Sequence, residues 1–163
     1  MKQLLSLSAL VFLLGMNPVF ADQAADREEI ESLMWRYARA LDTLNADAYL
    51  DVFTEDGEFA SGTNSSKGPA ALRAMIDGVK KSQTDRAAST GQAAPPMFHM
   101  TTDSWLEFID ADHARHHSYW LTVFGASGAG TTPNVAAAGR GVDELVRVNG
   151  KWLIKSRDVA PKD

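Results

Sequence analysis

The chain contains no cysteine. Disulfides, thiolate nucleophiles and cysteine-ligated metals are therefore excluded, and the core alone must hold the fold together. Positive charge is also scarce. The 16 Lys and Arg face 21 Asp and Glu, giving a net charge of −5, and no basic run interrupts that balance. Such a surface is a poor electrostatic match for nucleic acid or anionic lipid. Long apolar runs are missing too. The stretch from Leu4 to Met16 is too short to span a bilayer.

That stretch has a different reading. "MKQLLSLSALVFLLGMNPVFA" places a basic Lys2, an apolar segment and small-residue cleavage chemistry in order, ending at Ala21. This is the pattern of a secretory signal peptide. Residues 1–21 are expected to be removed, leaving a single domain, 22–163, that is exported to the periplasm or secreted, with no membrane attachment after cleavage. Loss of Lys2 takes the charge to −6.

Helical spacing comes first in the mature chain. Asp26 and Glu29 suit a capping box, and Ile30, Leu33, Met34, Tyr37, Ala38 and Leu41 share one helical face. A short helix is expected after Asn45, burying Tyr49, Val52 and Phe53. "TEDGEF" should end it, with Gly57 as the break before a strand. Gly68-Pro69 opens a third helix, with Leu72, Met75, Ile76 and Val79 as its stripe. The small polar residues 82–96 read as a loop closing on Pro95-Pro96.

From Met97 the character changes to long strands. "MFHMTTDSWLEFID" and "HARHHSYWLTVF" form one hairpin, and "GRGVDELVRV" and "KWLIKSRDV" form another about Asn149-Gly150. Helices followed by antiparallel strands imply an α+β domain, with a curved sheet wrapping the helices and a pocket between them.

The residues able to carry chemistry are few. Asp42 ends the first helix beside the apolar Leu41, where the macrodipole disfavours an acid. His99 is suited to proton transfer, but its alternation partners Thr101, Asp103 and Trp105 are a mixed set that leaves its direction open. In "DHARHHSYW", Ala114, His116, Ser118 and Trp120 form the smaller, less charged alternation and should face inward. His113, Arg115, His117 and Tyr119 should face outward. The histidines lack a complete metal-ligand set, so no metal and no other cofactor is expected. Tyr37 fits either a core position or a pocket. Arg157 fits an exposed strand position or the neutralisation of a buried acid.

As a whole, "EEIESLMWRYARALDTLNADAYLDVFTEDGEF", "KGPAALRAMI", "FHMTTDSWLEF", "HHSYWLTV" and "GKWLIKSRDV" resemble the SnoaL-like branch of the nuclear transport factor 2-like superfamily. The resemblance covers about residues 26–159. It is to the group of scytalone dehydratase, bile-acid dehydratase and hexachlorocyclohexane dehydrochlorinase. It implies a cone-shaped α+β barrel whose cavity holds an Asp–His pair. Asp42 matches the aspartate, His99 the proton-accepting histidine, Tyr37 a pocket tyrosine and Arg157 an arginine of some members. His116 is the nearest match for a second pocket histidine. Trp120 and Phe53 are expected to line the substrate cavity. The implied activity is a cofactor-free lyase of dehydratase type, or an isomerase, acting on a small hydrophobic hydroxy or carbonyl compound. The alternative is a non-catalytic small-molecule-binding domain. Relatives associate through the open sheet face, so a homodimer or homotrimer is expected, with Tyr119 and His117 as natural contacts.

Overall fold

The computed structural model describes residues 18–128 and 130–162; most of the expected leader, residues 1–17, lies outside them. Three helices, α1 (Pro18–Asp42), α2 (Ala46–Leu50) and α3 (Gly68–Thr90), pack on a curved six-stranded sheet. Its strands are β1 (Phe53–Ser61), β2 (Asn64–Lys67), β3 (Met97–Phe108), β4 (His113–Phe124), β5 (Asn134–Val148) and β6 (Lys151–Asp158). The strand order is β2-β1-β6-β5-β4-β3. All neighbours run antiparallel except β1 and β6, which are parallel. Ile30 and Leu33 of α1, Tyr49 of α2, and Leu72 and Ile76 of α3 meet Leu145, Trp152 and Ile154 of the sheet in the core. Among the described residues, no helix is long and apolar enough to cross a membrane.

Three local expectations are corrected. Asp26 does not cap α1, because the helix already runs from Pro18. Asp26 instead accepts from the Trp152 indole at 3.2 Å and pairs with Arg147 at 2.6 Å, while Glu29 accepts from the Trp152 backbone at 2.9 Å. The two acids thus fasten α1 to β6. Residues 82–90 are not loop. The helix α3 continues to Thr90 and ends on Gly91, whose φ of 67° forms a left-handed cap. Small residues such as Ala87 and Ala88 are good helix formers, and that propensity outweighs the polar look of the segment. Gly57 does not precede β1 but lies within it, at a register shift between Phe53 and Glu58. A side chain there would meet Phe53 Cβ at 2.8 Å.

Other expectations hold. Asn45 caps α2 by accepting from the Ala48 amide at 3.1 Å. Pro69 sits in the first turn of α3. Asn149 and Gly150 turn the β5–β6 hairpin with φ of 52° and 79°.

The sheet bends through bulges, and one of them decides the site. The β3–β4 register shifts between Thr102 and Trp105, where Asp103 takes a φ of 47°. A bulge reverses which alternation faces inward. Trp105 lies outside, stacked on His117 at 4.9 Å, whereas His99 and Thr101, of the same parity, face the cavities.

Gly139 shows how tightly the inner face is set. It lies opposite Trp120, and an added Cβ would fall 2.6 Å from Trp120 Cζ2. The Trp120 indole N–H is held by the carbonyls of Arg140 at 3.2 Å and Val159 at 3.1 Å, so the ring cannot withdraw freely. Gly139→Ala is expected to lower stability by about 1–3 kcal/mol through overpacking. A urea unfolding curve with unchanged midpoint would count against this packing.

Candidate active site

Asp42 is the last residue of α1, and His99 lies near the start of β3, at the edge of the sheet. One carboxylate oxygen joins them twice. Asp42 Oδ1 accepts from the His99 backbone N–H at 2.7 Å and lies 2.9 Å from His99 Nδ1. The other oxygen lies 3.4 Å from the Arg39 guanidinium, one helical turn back. The Asp42 side chain is 7% exposed and that of His99 is 22% exposed, so the acid is hidden behind the ring. A carboxylate only accepts, so Nδ1 carries a hydrogen and Nε2 is the nitrogen left for chemistry.

His99 borders two cavities. One, of about 300 Å³, lies between α1, α3 and the sheet and is lined by Tyr37, Leu41, Phe59, Met75, Trp120 and Arg157, among others. Its wall is mainly apolar. The second, of about 380 Å³, lies on the other side and is lined by Met34, Trp35, Ser104, Leu106 and His116, with Arg27 and Glu31. His99 and Thr101 belong to both walls.

Beneath the apolar cavity lies a buried polar row that spans three strands. His116 of β4 pairs across the ladder with Asp143 of β5, and Asp143 pairs with Arg157 of β6. The His116 Nδ1 to Asp143 Oδ2 distance is 2.9 Å. One Arg157 amino group donates to both Asp143 oxygens, at 2.8 and 2.7 Å. Asp143 is fully buried and Arg157 nearly so. Burial works against the charge on Arg157, but Asp143, together with Tyr37 and Tyr49, outweighs it and holds the guanidinium above its ordinary range. Arg157 also lies over the Tyr37 ring, 4.4 Å from its centre.

Tyr37 packs on Tyr49 and Phe53, with ring centres 5.5 and 6.2 Å away. Burial pushes both phenols above their ordinary range. At Tyr37, Arg157 opposes that rise without cancelling it, and at Tyr49 the Tyr37 ring adds to it. The Tyr37 hydroxyl is thereby kept protonated and able to donate.

The candidate residues thus separate into groups. Asp42 and His99 meet. Tyr37, Trp120 and Arg157 share the apolar cavity with His99, and His116 shares the other. Phe53 is buried in the aromatic cluster below Tyr37, and is not among the residues lining either cavity. Arg157 takes its neutralising role, on Asp143. Asp143 itself went unnoticed in the sequence, although it shares the alternation of Gly141 and Leu145. Among the described residues, no three metal-capable side chains cluster.

The helices and curved sheet around these cavities form a fold of the nuclear transport factor 2-like type. The model of the SnoaL-like domain matches residues 22–158, and the chain belongs to that family. Among solved structures, a nuclear transport factor 2-like protein with a cystatin-like fold from Novosphingobium aromaticivorans is 28% identical. It superposes with a TM-score of 0.70 over 90% of this chain and 88% of that one. A scytalone dehydratase-like protein from the same organism is 19% identical, with a TM-score of 0.67 over 85% of each chain. A hexachlorocyclohexane dehydrochlorinase from Novosphingobium barchaimii is 20% identical, with a TM-score of 0.66 over 85% of this chain and 88% of that one. At such identities the last two show the fold alone. No curated protein sequence matches the chain.

The buried phenols make a pH prediction. In the folded chain Tyr37 and Tyr49 keep their protons to higher pH than in the unfolded chain. The folded state therefore binds more protons above about pH 10, and stability must fall as pH rises there. Urea titrations across that range should show the decline, and a Tyr37→Phe/Tyr49→Phe double variant should decline less steeply. Equal slopes for the two proteins would contradict the assignment.

Proposed function

We propose that the protein is a cofactor-free lyase of dehydratase type acting on a small hydrophobic hydroxy-carbonyl compound. The observation that carries this reading is the Asp42–His99 contact, made by a histidine that borders both cavities. His99 Nε2 takes a proton from the carbon next to the carbonyl. The C–H electron pair becomes the new C=C bond, and the hydroxyl on the adjacent carbon departs with its own bonding pair, leaving as water on taking the proton that His99 has accepted, which returns the ring to its neutral form. Asp42 orients the ring and supports the imidazolium as it forms. The Tyr37 hydroxyl, held protonated, is suited to polarise the carbonyl where negative charge grows. The apolar residues Leu41, Met75 and Trp120 suit a hydrophobic body.

An isomerase would use the same base, returning the proton to a different carbon. The dehydratase-like and dehydrochlorinase neighbours support elimination at the level of fold. The signal-peptide pattern in the sequence of residues 1–21 supports an exported location. The exposed Trp105, Tyr119 and Val135 on the strands support self-association through the sheet.

The test is a panel of aryl and alicyclic β-hydroxy ketones, followed by the absorbance of the conjugated enone. Wild type should turn over at least one of them. His99→Gln should lose about 10²–10⁴-fold in rate, the usual share of positioned acid–base catalysis. Asp42→Asn should be impaired in the same direction. Binding of these ketones without turnover would instead favour a carrier domain, and unimpaired His99→Gln would remove the base.

A further inference from the structure

The row His116–Asp143–Arg157 is more elaborate than core stability requires. Buried ion pairs stabilise little compared with apolar packing, because desolvation offsets their attraction. Here an imidazole is added to the pair, and that imidazole lines a cavity. The geometry states what it can offer. Asp143 accepts at Nδ1, so Nε2 is the ring nitrogen left for the cavity. Arg157 already balances the charge of Asp143, so a neutral His116 leaves the buried group without net charge. A neutral ring with its hydrogen on Nδ1 presents a lone pair at Nε2. It is an acceptor, and so it is unsuited to polarising a carbonyl.

We propose that Asp143 is a positioning residue, clamped by Arg157, that makes His116 a hydrogen-bond acceptor for a hydroxyl of the substrate. This deepens the preceding reading and rests on it only for the substrate's reach to His99. Both cavities share the His99 wall. A molecule held in the His116 cavity, with its apolar body against Met34, Trp35 and Leu106 and an O–H at His116, therefore also reaches His99. The site distinguishes a hydroxyl from an ether or a carbon–halogen bond, neither of which can donate. Polar groups built to meet a hydroxyl reject analogues that lack it, because the buried group is then left unpaired. The class of ligand is thus a hydroxylated ring compound rather than a halogenated one.

The test uses 2-naphthol and 2-methoxynaphthalene, which differ in the O–H, and measures binding of each by calorimetry at neutral pH. Wild type should bind the naphthol about tenfold more tightly, the worth of one hydrogen bond. His116→Phe should bring the ratio to about one. Asp143→Asn should lower it while leaving the affinity for the ether unchanged, an effect that general loosening of the fold would not produce. The ratio is read from binding without turnover, which separates this proposal from the catalytic one. A wild-type ratio near one, failure of the naphthol to bind, or a ratio that survives in His116→Phe would overturn it. Should the buried variants not fold, the wild type decides by long-range ¹H–¹⁵N spectra. The His116 Nε2 signal should report an unprotonated nitrogen that moves with naphthol and not with the ether. A proton on Nε2, or indifference to naphthol, would overturn the proposal equally.

Discussion

Asp42 Oδ1 accepts two hydrogen bonds from one residue, and the site is arranged around that oxygen. The His99 backbone N–H belongs to an edge strand and needs an acceptor outside the sheet. The acid that supplies one ends α1, where its charge opposes the macrodipole. Neither group is comfortable alone. Together they attach β3 to the helix, and a hydrogen bond to a charged group of this kind contributes about 1.5–3 kcal/mol. The same contact fixes the imidazole, so the attachment of the strand and the orientation of the ring depend on one oxygen atom.

The two carboxylate–histidine pairs are alike in geometry and differ in electrostatics. Each carboxylate oxygen lies 2.9 Å from Nδ1 of its ring. Among the described residues, the cation paired with Asp42 besides the His99 ring is the half-exposed Arg39, at 3.4 Å. Asp143 has Arg157, buried and donating to both oxygens. The first acid is left free to support a positive ring beside it, whereas the second is already matched. One fold thus holds two imidazoles in different electrostatic settings, the difference coming from where the arginines lie.

The sequence made the architecture legible where local chemistry was strong. Asn45, Pro69 and Asn149-Gly150 marked their elements because each does something few other residues can do. The inward alternation of Ala114, His116 and Ser118 was readable for the same reason, since no bulge interrupts it. Bulges hid the rest. Alternation could not place His99, because the shift at Asp103 reverses the inner face between Trp105 and Thr101. Asp143 escaped notice because a simple hairpin about Asn149-Gly150 would set it opposite Ser156. The shift between Glu144 and Leu145 brings Arg157 there instead. A carboxylate and an arginine on neighbouring strands become partners through one extra residue that leaves no compositional mark. The length of α3 was missed for a different reason, since its last two turns bury little and carry no apolar stripe.

The claim that most depends on geometry is that Asp42 holds His99 with Nε2 free. Long-range ¹H–¹⁵N correlation spectra of the wild-type protein, recorded where the ring is neutral, measure this without any substrate. The His99 ring is expected to be protonated on Nδ1 and bare on Nε2, with the Nδ1 proton lost or displaced in Asp42→Asn. A ring carrying its proton on Nε2 in the wild type, or one indifferent to Asp42→Asn, would contradict it.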